Sequence, residues 1–126
     1  MQKKQILLIG GGLLLIELAK ELANYERIKK IYIITGDRHA KEIIFSGSTF
    51  EKECEKLENN ISSDKIEFYK IKNLDEPTFG NVSKKCELVL SLSSPWIFKK
   101  KHIEVCKNLF NIHCSDLPRW AGGGGQ

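Results

Sequence analysis

Four consecutive apolar residues, Ile6-Leu7-Leu8-Ile9, run directly into three glycines, Gly10-Gly11-Gly12. Few architectures accept that pairing. The apolar run does not alternate with polar residues, so both of its faces need cover, as in a parallel sheet packed on two sides. The glycines allow a tight turn immediately after it. Leu13 to Tyr25 then has helical spacing, with Leu14, Leu15, Leu18, Ala19 and Leu22 on one face and Glu17, Lys20 and Glu21 opposite. Ile31 to Thr35 reads as a second strand. The first 35 residues therefore predict a β-α-β unit with parallel strands and a right-handed crossover.

The same alternation continues along the chain. His39 to Phe45 reads as a short helix. Ser48 to Leu57 reads as a second helix, capped by Ser48 with Glu51 three residues later. Asn59 to Asp64 is a polar loop, and Lys65 to Ile71 a third strand. Asp75 to Lys84, with Pro77 and Gly80, reads as a loop with at most a helical turn. Glu87 to Leu92 is a fourth strand, broken by Ser93-Ser94-Pro95-Trp96. Lys99 to Asn108 is a short helix with Ile103 and Cys106 inward, and Leu109 to His113 a fifth strand. Strands alternating with helices predict a doubly wound α/β domain spanning residues 1–126.

Composition narrows the function classes. At 126 residues the chain suffices for one domain with a real core. Its net charge of +4 comes from lysines and glutamates mixed along the chain, which disfavours a nucleic-acid stripe. The one dense basic run is Lys99-Lys100-Lys101-His102. No apolar stretch approaches the roughly 20 residues of a bilayer span. The amino terminus lacks a small-residue cleavage site, and Glu17 closely follows the apolar run, so a cytoplasmic protein is expected. Cys54, Cys86, Cys106 and Cys114 form no C-x-x-C pair and no zinc spacing, which predicts reduced thiols and no metal site.

Two motifs carry chemistry. Gly10 to Leu15 nearly fits the dinucleotide pattern G-x-G-x-x-G, with Leu15 in place of the third glycine and Asp37 just past the second strand. A plain tight turn, a bound dinucleotide, and a phosphate held on the helix N-terminus are all compatible with it. The second motif is Asn111-Ile112-His113-Cys114-Ser115-Asp116-Leu117-Pro118. On a strand, residues i and i+2 share a side, so Asn111 and His113 present an amide and an imidazole to one place. Such a pair can stabilise an oxyanion and move a proton near neutral pH. The Gly10–Gly12 turn, the Ser93–Trp96 break and His113 all fall at strand carboxyl ends, the edge where open α/β sheets bind ligands.

Leu109 to Gly125 resembles the signature segment of the folate-dependent formyltransferases, Asn-x-His-x-Ser-x-Leu-Pro followed by a basic, glycine-rich loop. That superfamily includes the glycinamide ribonucleotide, methionyl-tRNA and nucleotide-sugar N-formyltransferases. The resemblance implies a Rossmann-like three-layer sandwich with a mostly parallel sheet. It implies Asn111 and His113 as catalytic residues. It implies 10-formyltetrahydrofolate as formyl donor, held near Leu92, Ser94, Pro95 and Trp96. Gly11 and Gly12 are expected to contact a small-molecule amine substrate, with a nucleotide-linked amino sugar favoured as acceptor. The family's third catalytic group, a downstream Asp, is expected to be missing, with the sheet cut short after about five strands. An exposed edge there would favour self-association, so a homodimer is among the expected states.

Overall fold

The computed structural model describes residues 3–62 and 64–112. Among these residues, seven strands and five helices follow in the order β1 (Lys4–Gly10), α1 (Leu13–Leu22), β2 (Ile28–Thr35), α2 (Asp37–Ala40), β3 (Ile43–Phe45), β4 (Ser48–Thr49), α3 (Phe50–Ile61), β5 (Ile66–Lys70), α4 (Pro77–Lys85), β6 (Leu88–Leu92), α5 (Lys100–Glu104) and β7 (Leu109–Ile112). Five strands form one sheet in the order β5-β2-β1-β6-β7, and every neighbouring pair is parallel. β3 and β4 form a separate antiparallel ribbon.

Alternation along the central strand builds two cores. Ile6 and Leu8 of β1 meet Leu15, Ile16 and Ala19 of α1 and Phe50, Cys54 and Leu57 of α3. Leu7 and Ile9 point the other way, to Phe79 and Val82 of α4 and to Val89 of β6. The apolar run is thus buried on both faces, and the domain is a Rossmann-like three-layer sandwich. The strand order reverses between β1 and β6, and in open α/β sheets ligands bind beyond the carboxyl ends at such a reversal.

Several local expectations need correction. α1 stops at Leu22 rather than Tyr25, because the amides of Asn24 and Tyr25 turn to the carbonyls three residues back. Its buried face is Leu15, Ile16 and Ala19, which leaves Leu14 half exposed. The helix expected over His39 to Phe45 is only α2, and Ile43–Phe45 is extended. β-branched Ile43 and Ile44 favour a strand, and Gly47, at φ 77°, turns the chain into β4. Thr49, not Ser48, caps α3 by accepting from the Lys52 amide. Ser48 instead donates to Glu53 at 2.5 Å, and Glu51 pairs with Lys70 at 3.0 Å. α3 continues to Ile61, through residues expected to loop.

The largest difference is α4, a nine-residue helix where a loop is expected. Pro77 sits in its first turn, where the missing amide proton costs nothing. Phe79, Val82 and Ser83, spaced three and four from the first, are all buried. In α5 the inward residue is His102, while Ile103 is half exposed against expectation.

The sheet's switch point depends on close backbone approach. A Cβ on Gly10 would lie 1.9 Å from the Leu92 carbonyl oxygen, and Gly10 has φ +135°. Gly12 is also left-handed, at φ +94°, but a Cβ there would meet nothing within 4 Å. Gly10→Ala is therefore expected to cost at least about 3 kcal/mol or to prevent folding, and Gly12→Ala only about 1–2 kcal/mol. Urea denaturation of the two variants checks this ranking, and equal losses would contradict it. Phe50→Ala, which empties a fully buried position, is expected to lose about 3–5 kcal/mol in the same measurement.

Candidate functional site

Three loops meet at the carboxyl edge around the switch point. The first is the glycine turn. The Gly11 amide donates to the Leu92 carbonyl at 3.1 Å, tying the end of β1 to the end of β6. Thr35, fully buried at the end of β2, donates its hydroxyl to the Gly10 carbonyl at 2.5 Å. Gly12 caps α1 without a side-chain hydrogen bond, so the helix N-terminus faces open space. That combination suits an anion, since the first-turn amides carry partial positive charge.

The second loop follows β2. Asp37 opens α2 and is exposed, and His39 is buried against the glycine turn. A Cβ on Gly11 would come within 2.7 Å of the His39 side chain, so glycine is required there by contact. Nδ1 of His39 lies 2.9 Å from the Glu42 carboxylate, while its buried Nε2 meets no partner among the described residues.

The third loop follows β6. Ser93 is held at φ 56°, and Ser94 accepts from the Trp96 amide at 3.2 Å. The Trp96 indole lies over Gly36, whose hypothetical Cβ would sit 2.9 Å from the ring, and donates from Nε1 to the Lys72 carbonyl at 3.3 Å. Pro95 also borders Gly36. Of the residues expected to hold the donor, Ser94, Pro95 and Trp96 are half-buried on this loop. Leu92 differs: its side chain is fully buried in the α1–α3 core, and it meets the edge through its carbonyl.

Asn111 is exposed on β7, in register with Ser91 of β6, and Ile112 is in register with Leu92. β7 therefore ends level with the Ser93–Trp96 loop. The Ser91 hydroxyl is buried and has no partner among the described residues. His113, Cys114 and the rest of the signature through the glycine-rich segment lie outside the described residues.

Sequence reasoning missed a second constellation. His102 reads as the end of a lysine run, yet it is 8% exposed. Its Nδ1 accepts from the Lys99 amide at 3.0 Å, and its Nε2 lies 2.9 Å from Asp75 Oδ1. Lys101 reaches the same oxygen at 2.9 Å. Only its place three residues after Lys99, as in a capping box, hinted at this in the sequence.

Among the described residues, no thiol is a ready nucleophile. Burial pushes Cys86 up to about 12 and raises Cys54 and Cys106 as well. Among the described residues, no group of three His, Cys, Asp or Glu side chains could hold a metal ion, and no helix is long and apolar enough to cross a membrane. No protein-family model and no curated protein matches the chain.

The hydrogen bond from His102, followed by that from Lys101, holds the Asp75 carboxyl down at about 2. A depressed carboxyl contributes stability above its ordinary value of 3.8 and loses it as pH falls through about 2. A carbon-detected NMR titration is expected to place the Asp75 midpoint near 2, and to move it up toward the ordinary value in His102→Ala. An Asp75 midpoint at the ordinary value in the unmodified chain would show that the pair does not form.

Proposed function

We propose that this domain serves N-formyl transfer, moving a formyl group from 10-formyltetrahydrofolate to a primary amine. A nucleotide-linked amino sugar is the favoured acceptor. The observation that carries the proposal is the register of β7. It sets Asn111 beside Ser91 at the carboxyl edge of a doubly wound sheet, one strand from the switch point. Two residues further on, the sequence supplies His113.

The geometry suits the donor's flat heteroaromatic ring. The 93–99 loop presents the exposed Ile97 and the half-buried Trp96 indole, which is seated on Gly36 and borders a cleft of about 300 Å³. The donor supplies an activated formyl carbon. In the proposed chemistry the amine's lone pair forms the new C–N bond and the C–N bond to the folate breaks. The Asn111 carboxamide donates hydrogen bonds to the formyl oxygen as negative charge develops there. The His113 imidazole takes the proton released by the amine and returns one to the departing folate nitrogen. An acceptor phosphate would rest on Gly11 and Gly12 at the uncapped start of α1. A cytoplasmic setting, where thiols such as Cys54, Cys86 and Cys106 stay reduced, belongs to the same proposal.

A second reading keeps the fold and drops the chemistry: a nucleotide-binding domain, including an NAD(P)-linked one. It is favoured by the same open helix start together with Asp37, just past β2. Calorimetric titration with 5-formyltetrahydrofolate, a stable folate, and in parallel with NAD separates the two. Folate binding abolished by Trp96→Ala is expected, and NAD binding sensitive to Gly12→Ala with no folate binding would reverse the order of the readings. In a full-length protein carrying this domain, His113→Ala is expected to lower turnover about 100-fold or more with an unchanged circular dichroism spectrum. Retained turnover would remove the catalytic assignment.

A further inference from the structure

We infer that His102 and Asp75 form a positioning dyad that fixes the 93–99 loop in its ligand-binding form. The inference rests on the assignment of that loop to the folate donor.

A buried imidazole is costly unless its polar atoms are satisfied. Here both nitrogens are used. The Lys99 amide donates to Nδ1, so Nδ1 carries no proton. The proton is then on Nε2, which donates to Asp75. This is one fixed tautomer of a neutral ring, with a depressed carboxylate on one side and a backbone amide on the other. The ring also meets Phe79 of α4 edge-on, at 5.9 Å and 84°. His102 therefore joins three segments: α4, the loop after β5 and the loop after β6.

Each end of that connection is itself anchored. Asp75 donates its amide to Asn73 Oδ1 at 2.9 Å, and Glu76 accepts from the amides of Lys72 and Asn73. On the other side, Trp96 is held by Gly36 and by the Lys72 carbonyl. A cleft of about 300 Å³ opens between residues 73–75 and 95–97, with His102 in its wall.

The 93–99 loop lacks ladder hydrogen bonds of its own and begins with a left-handed serine, Ser93. The following helix, α5, spans five residues and is too short to hold its place by helix formation. The hydrogen bond to the Lys99 amide is thus the tie that sets where the loop ends. A loop already fixed before binding spares the ligand that ordering cost, which appears as affinity. His102 touches the donor at no point in this scheme; it acts through Lys99 and Trp96.

Three substitutions separate the two halves of the tie. His102→Asn keeps an acceptor near Nδ1 for the Lys99 amide and cannot reach Asp75. His102→Gln keeps a donor near Nε2 for Asp75 and cannot serve Lys99. His102→Ala removes both. Each variant is titrated with 5-formyltetrahydrofolate, with the exposed Lys52→Ala as control, and imidazole tautomers are read by nitrogen NMR. The neutral Nε2–H tautomer is expected in the unmodified chain. His102→Ala is expected to weaken binding about tenfold or more, with partial rescue by Asn and by Gln. Unchanged affinity in all three variants overturns the inference, as does an Nδ1–H tautomer or loss of folding in all three. If the unmodified chain binds no folate, the donor assignment fails. The positioning claim is then decided by the amide resonances of Ser94, Trp96 and Ile97, which must shift in His102→Ala for it to stand.

Discussion

The contact between the glycine turn and the end of β6 is the constraint on which the rest of this domain depends. With no Cβ at Gly10, the backbone of β1 comes up against the Leu92 carbonyl, and the Gly11 amide bonds to it. That contact joins the two halves of the sheet at the point where strand order reverses. It brings the start of α1 and the 93–99 loop to the same edge. A side chain at Gly10 would separate the halves and, with them, the two parts of the candidate site.

The site edge is held together by polar ties between loops, not by a separate core. Thr35 reaches Gly10, Trp96 reaches Lys72, and His102 reaches Asp75. Each crosses from one strand end to another. Beneath them the two apolar layers are conventional, with β1 feeding alternate side chains to each. The division of labour follows from the chemistry: burial gives the sandwich its stability without direction, and directional hydrogen bonds set the loops.

Much of the sheet was legible in the sequence because its strands are continuous apolar runs. Ile6 to Ile9 and Leu88 to Leu90 could be read directly, and the glycine turn fixed the element that followed. Legibility failed where local preference and tertiary packing disagree. α4 carries Pro77 and Gly80, which signal a loop, yet Phe79, Val82 and Ser83 bury one face of the helix. Propensity lost to burial there. The ribbon at Ile43 and Thr49 failed for the opposite reason, since short strands have too few residues to show a period. At the site, Asn111 was visible as part of a motif. His102 and His39 were not, because a histidine in a charged run gives no sign of being buried.

The bond between Gly11 and Leu92 joins residues about eighty positions apart. The first β-α-β unit holds only one side of that contact; the other side comes with β6. The half of the sheet built by β1, β2 and β5 can assemble while β6 is still being added. The edge at the switch point is therefore complete only when the sequence up to β6 is present. Contacts of such sequence separation are among the slow ones to form in folding.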